Sequence, residues 1–120
     1  MDKNIYDYSN YKSYLRQRFG DKNRRRGEKI AAAKAINCQP TFISQILHAN
    51  AHLSLEQADA LNQHWQHSPD ESAFFILLVQ KDRAGTKSLR EFFQNQIEEI
   101  IRRGLTLTQR LAEKNKISNG

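Results

Sequence analysis

Residues 28–50 read EKIAAAKAINCQPTFISQILHAN: a small-residue segment, an Asn-centred break, and a second segment opened by proline. Ala31, Ala32 and Ala33 lack the bulk that holds helices apart, so a neighbour can approach closely, and Ile30 and Ile36 supply apolar contact. Asn37 is one of the few non-glycine residues that tolerates a left-handed backbone, which ends one helix and turns the chain within a few residues. Cys38 is then expected to point inward. Gln39 falls at the cap, and Pro40 takes the first helical position, where its missing N–H costs nothing and its fixed φ is already helical. In the second helix Phe42, Ile43, Ile46 and Leu47 recur at three- and four-residue spacing as one apolar stripe. Gln39, Thr41, Ser44, Gln45 and His48 are left on the opposite, uncharged face.

This is the spacing of a helix-turn-helix, a unit whose second helix can lie in the major groove of DNA. The polar face then reads base edges: glutamine has a bidentate geometry suited to adenine, and a threonine methyl can pack on thymine. The bland alternative is a solvated face, which any short amphipathic helix presents.

At 120 residues, 38% apolar and 27% charged, the chain has the composition of one compact domain, with no room for a large separate ligand-binding domain. The longest apolar run, Ala73 to Val79, is too short to cross a bilayer. The opening MDKNIYDYSNYK is acidic, aromatic and polar rather than basic and then apolar, so no membrane partner and a cytoplasmic protein are expected. The single Cys38 cannot form an internal disulfide and lies in an apolar pattern, which reads as a structural thiol.

A formal charge of +6 and a pI near 9.7 suit a polyanionic partner, and the placement of charge is more telling than the total. Between Lys34 and Lys81 there is no Lys or Arg, whereas cations crowd the first 34 residues. Arg24, Arg25, Arg26, Lys29 and Lys34 flank the first helix of the motif and are the candidate clamps on backbone phosphates. A basic loop that only aids solubility is the competing reading.

The rest of the chain reads as helical: no stretch alternates with period two, and both prolines stand at helix starts. Tyr8, Tyr11, Leu15 and Phe19 predict a first helix from about Ser9, with basic residues on its outer face and an end near Gly20. The stretch from Asp21 to Gly27 reads as a last basic turn or a loop. Ser54 and Gln57 form a capping box for a helix to about Gln66, with Leu55, Ala58, Leu61, Asn62 and Trp65 inward. Ser68, Pro69, Asp70 and Glu71 open another helix, apolar nearly all round, which reads as a central core helix. Ser88 and Glu91 suggest a third box, ahead of an amphipathic stripe formed by Leu89, Phe92, Phe93, Ile97, Ile100 and Ile101. Thr106 and Gln109 could cap a last helix, or the two segments could fuse through Gly104. That stripe is expected to pair with the same segment of a second chain, making residues 1–85 a helix-turn-helix head and 86–120 a dimerisation extension.

Three separated motifs, in order, resemble lambda-repressor-like helix-turn-helix regulators, in particular a bacterial regulator family that opens with a DYxxYLR helix. Asp7-Tyr8-Ser9-Asn10-Tyr11-Lys12-Ser13-Tyr14-Leu15-Arg16 resembles that opening, His52-Leu53-Ser54-Leu55-Glu56-Gln57-Ala58 its NLSPETA helix start, and Phe74-Phe75-Ile76-Leu77-Leu78-Val79 its YFxxLV segment. The likeness spans roughly residues 5–85. It implies an all-α fold, a five-helix head followed here by one or two amphipathic helices, and a regulatory role. Members of the family carry a Gly-Lys-Arg turn after the recognition helix, where this chain has His48-Ala49-Asn50-Ala51-His52 and so lacks that phosphate-gripping cluster.

Catalysis finds no support: there is no glycine-rich phosphate loop, no activated-serine elbow, and no paired carboxylates outside solvent-facing turns such as Glu98-Glu99. The pairs His48/His52 and His64/His67 lack the companions a metal site uses, so no metal and no cofactor are expected. The sequence thus predicts a sequence-specific, non-enzymatic binder of double-stranded DNA acting as a homodimer. The alternative is a protein-interaction module of the same shape, with weak or no DNA binding and a protein partner on its C-terminal helix.

Overall fold

The computed structural model describes residues 4–20 and 26–118, and no strand occurs among them. A 3-10 turn, Ile5–Asp7, precedes six helices: α1 Tyr11–Phe19, α2 Arg26–Ala35, α3 Pro40–His48, α4 Leu55–His64, α5 Pro69–Arg83 and α6 Lys87–Ser118. The chain is all-α, as expected, with five helices ahead of a single long one.

Local chemistry sets most of the boundaries. Asn10 caps α1 through its side chain, so the helix starts at Tyr11 and half-buried Tyr8 packs from outside it. Gly20, at φ 60°, closes it. Ser54 with Gln57 and Ser68 with Glu71 form reciprocal capping boxes at α4 and α5. Asn37 has φ 56°, and the bonds Cys38 N–H to Ala33 O and Asn37 N–H to Lys34 O complete a left-handed closure of α2. Gln66 repeats the device after α4 at φ 56°, with His67 N–H bonded to Asn62 O, and no glycine or asparagine marks that turn in the sequence.

Other expected details shift. Lys87 begins α6, and the Thr86 hydroxyl accepts from Leu89 N–H, so Thr86 rather than Ser88 caps it. The helix runs unbroken through Gly104, so Thr106 and Gln109 start nothing new. Ile30 is exposed, although Ala32, Ala33 and Ile36 of the same helix region are buried, and Leu55 at the first position of α4 is exposed as well.

The hub is α5. Phe74, Phe75, Leu78 and Val79 are fully buried, and the helix touches α1, α4, α6 and the 3-10 turn, which explains why it is apolar nearly all round. At about 1.5–3 kcal/mol for each large side chain removed from water, these four alone form a large part of the driving force for collapse. Around Phe75 stand Tyr14, Trp65 and His67 in edge-on and tilted contact, with ring centroids 5.8–6.4 Å from it. Ile97 brings α6 into this core, so the stripe of α6 first serves its own chain.

Candidate nucleic-acid interface

The packing of α3 decides which of its residues meet solvent. Ile43, Ile46 and Leu47 are buried against α1 and α2, and Phe42 is half-buried on the same side. Gln39, Thr41, Gln45 and His48 are exposed and Ser44 is half-buried. Among the described residues none of these five side chains makes a hydrogen bond, and the Gln39 side chain plays no capping role. A row of amides, hydroxyls and an imidazole therefore stands open along one helix, seated on its apolar side.

The expected phosphate clamps are only partly in view. Arg24 and Arg25 lie outside the described residues, and Arg26 opens α2 with its side chain outside them. Lys34 is exposed at the end of α2, and Lys29 is half-buried.

The α1 cations are expected on an outer face, but two of them turn toward the end of α3. Arg16 Nη2 donates to Leu47 O at 2.6 Å, and Lys12 Nζ donates to Ala49 O at 3.1 Å and Ala51 O at 2.8 Å. From α5, Arg83 Nη1 donates to Leu53 O at 2.7 Å. Positive groups thus meet the carbonyl end of α3, where the helix dipole is negative, and the loop that follows. Burial pulls the Lys12 ammonium below its ordinary value, with Asp82 opposing and Arg16 adding to the shift. The one sequence signal was the i, i+4 spacing of Lys12 and Arg16. Nothing in sequence names a distant backbone carbonyl as partner.

The same loop is pinned from beneath. Tyr11 Oη accepts from Leu53 N–H at 3.2 Å and shares a second hydrogen bond with His52 Nδ1 at 2.8 Å. The Tyr11 amide donates to Asp82 Oδ2 at 3.1 Å. Burial pushes the Tyr11 phenol up to about 12 and raises the Asp82 carboxyl, the latter against the Tyr11 amide and Lys81. On the other side of the core, Asn62 Nδ2 donates to Ser72 O at 3.3 Å, leaving Asn62 Oδ1 to accept from His67 Nδ1 at 2.7 Å. His67 Nε2 then accepts from the Tyr14 hydroxyl at 2.7 Å. Burial lowers the pKa of His67 and so favours the neutral imidazole that this pattern of hydrogen bonds accommodates. Trp65 Nε1 donates to Glu28 at 2.6 Å and lies under the Arg18 guanidinium, 4.6 Å from the ring centre, fastening α4 to α2 and α1.

The remaining sequence candidates divide between core and surface. Ile97 is buried and thereby withdrawn from any second chain. Phe93, Ile100 and Ile101 are half-buried, Leu89 and Phe92 exposed. Leu105, Leu107 and Leu111 are exposed farther along α6, and an open groove of about 620 Å³ is lined by the first two together with Tyr6, Ala73, Ile100 and Ile101. Cys38 is half-buried against the core and burial raises its thiol pKa, which disfavours the nucleophilic thiolate. Among the described residues no cluster of three or more His, Cys, Asp or Glu could hold a metal, and no helix is long and apolar enough to cross a membrane.

Comparison of the chain with protein-family models, curated proteins and solved structures finds no match.

Proposed function

We propose that this chain is a cytoplasmic, non-enzymatic regulator of transcription that binds double-stranded DNA through α3 in a lambda-repressor-like helix-turn-helix arrangement of α2 and α3. The observation that carries the reading is the open polar face of α3, with Thr41, Gln45 and His48 exposed and its apolar side locked in the core. On a helix laid in the major groove these positions, with Gln39 and Ser44, face base edges, and Gln45 has the donor and acceptor pair that matches adenine. Lys29 and Lys34, with the arginine run 24–26, supply the sequence-independent attraction to phosphate. The protein acts as a homodimer, joined through the exposed and half-buried part of the α6 stripe: Leu89, Phe92, Phe93, Ile100 and Ile101. Twofold pairing would match twofold-related half-sites.

Selection of bound sequences from a random duplex library tests the reading. Enrichment of a palindrome is expected, and Gln45→Ala should relax the choice at particular positions, weakening the preferred site by roughly 1–3 kcal/mol. Equal loss on all sequences would contradict base reading. Absent or salt-insensitive binding would favour a protein-interaction module, a reading that the exposed Leu105, Leu107 and Leu111 of α6 also suit.

A further inference from the structure

We infer that the loop from Leu47 to Leu53 is a phosphate-binding segment whose positive charge is delivered from elsewhere in the fold, by Arg16 of α1 and Arg83 of α5, with Lys12 as the residue that positions the loop. The inference rests on the DNA-binding reading above and adds a contact site to it.

The segment itself carries no formal charge. From Lys29 to Leu55 there is no Asp or Glu, and from Ala35 to Gln80 no Lys or Arg, so the field over α3 and its loop is set by groups that other helices bring. Three cations come. Alternate carbonyls along the loop, those of Leu47, Ala49, Ala51 and Leu53, each accept a hydrogen bond from one of them. A lysine spends two of its three donors there. Each arginine spends one nitrogen, Nη2 for Arg16 and Nη1 for Arg83, and keeps most of its five N–H donors.

Among the described residues neither arginine forms an ion pair, and both are exposed. Asp82, the carboxylate nearest this group in sequence, is half-buried and engaged by the Tyr11 amide. A guanidinium tethered by one edge to a backbone carbonyl is held in a fixed plane, which suits its free donors to the fork geometry of a phosphate. The loop does little to screen them: Ala49, Asn50 and His52 are exposed and small or polar. It also continues directly from His48, the last residue of the base-reading face, so a duplex lying on that face meets this loop next.

The test is the salt dependence of fluorescence anisotropy with the full chain and a short fluorescein-labelled duplex of mixed sequence. Wild-type binding should weaken steeply with salt. Arg16→Gln and Arg83→Gln remove the charge and keep a polar side chain, two bonds shorter than the guanidinium that meets the loop carbonyl. Each should shallow the slope of log Kd against log salt by about 0.9, roughly an eightfold loss at 0.1 M, whereas Arg16→Lys and Arg83→Lys should hold the wild-type slope. Asn50→Lys, at an exposed position, should steepen the slope by a similar amount.

Melting temperatures separate a purely structural role, which would lower them and leave the slope alone. Unchanged slopes in folded Gln variants and in Asn50→Lys, with salt-steep wild-type binding, would overturn this inference and leave the parent reading standing. Wild-type protein with no salt-sensitive binding to duplex would overturn both.

Discussion

Replacing Tyr11 with Phe isolates one hydroxyl at the centre of the molecule. Tyr11 and Leu53 are both fully buried, and the phenol oxygen is the acceptor for Leu53 N–H at 3.2 Å, while the hydroxyl shares a hydrogen bond with His52 Nδ1 at 2.8 Å. A phenylalanine ring fills the same space, so no cavity opens and the packing against Phe75, 6.5 Å between ring centres, persists. His52 is exposed and can turn its nitrogen to water, so little is lost there. Leu53 N–H has no such escape. A buried donor left without an acceptor costs about 1–3 kcal/mol, and the central expectation is about 2 kcal/mol. For a domain of this size that is a fall of roughly 8 °C in Tm, at about 4 °C per kcal/mol. Urea unfolding followed by circular dichroism measures it, with an unchanged denaturant slope as the sign that the unfolded state is unaltered. Tyr14→Phe is the comparison: it strands an imidazole acceptor on His67 and a donor on half-buried Arg18, which can turn to water, and should cost about half as much. A Tyr11→Phe protein within 0.5 kcal/mol of wild type would refute the view that this hydroxyl holds the loop behind α3.

Three further expectations follow from the packing and titration of the fold. Ile97→Ala, at 2% exposure, should cost about 2–5 kcal/mol, while Leu107→Ala, at 58% exposure on the same helix, should stay within about 0.5 kcal/mol in urea unfolding. Burial lowers the pKa of His67 and of His52 from 6.5, so on acidification the unfolded chain takes up these protons first. Stability is then at its full value above about pH 6.5 and declines as pH falls below it, and His67→Gln should flatten that decline in melts between pH 7 and 5. Gly104→Ala places a methyl where no atom lies within 4 Å, so it should raise helicity and stabilise α6 by about 0.5–1 kcal/mol, read from ellipticity at 222 nm.

Short-range chemistry was legible in the chain itself. Asn37 at the turn, Pro40 at the start of α3, the capping boxes of Ser54 and Ser68, and the apolar stripe Ile43, Ile46, Leu47 all act within a few residues of one another. Each could therefore be read from spacing, and with them the all-helical class and the outward face of α3. Thr86 displacing Ser88 as a cap shows the limit even there, since two hydroxyls two residues apart offer the same local signal.

Contacts between residues far apart in sequence were decided only by the tertiary structure. A lysine or arginine carries no mark of whether it will face solvent or a backbone carbonyl, and Lys12, Arg16 and Arg83 find theirs at separations of 30 to 39 residues. The same holds for α6, whose stripe specifies burial without naming the surface that provides it. Ile97 found that surface on its own chain, whereas Leu107 stays 58% exposed at the edge of a groove beside the head. Periodicity belongs to one helix, but the identity of a partner belongs to the arrangement of several.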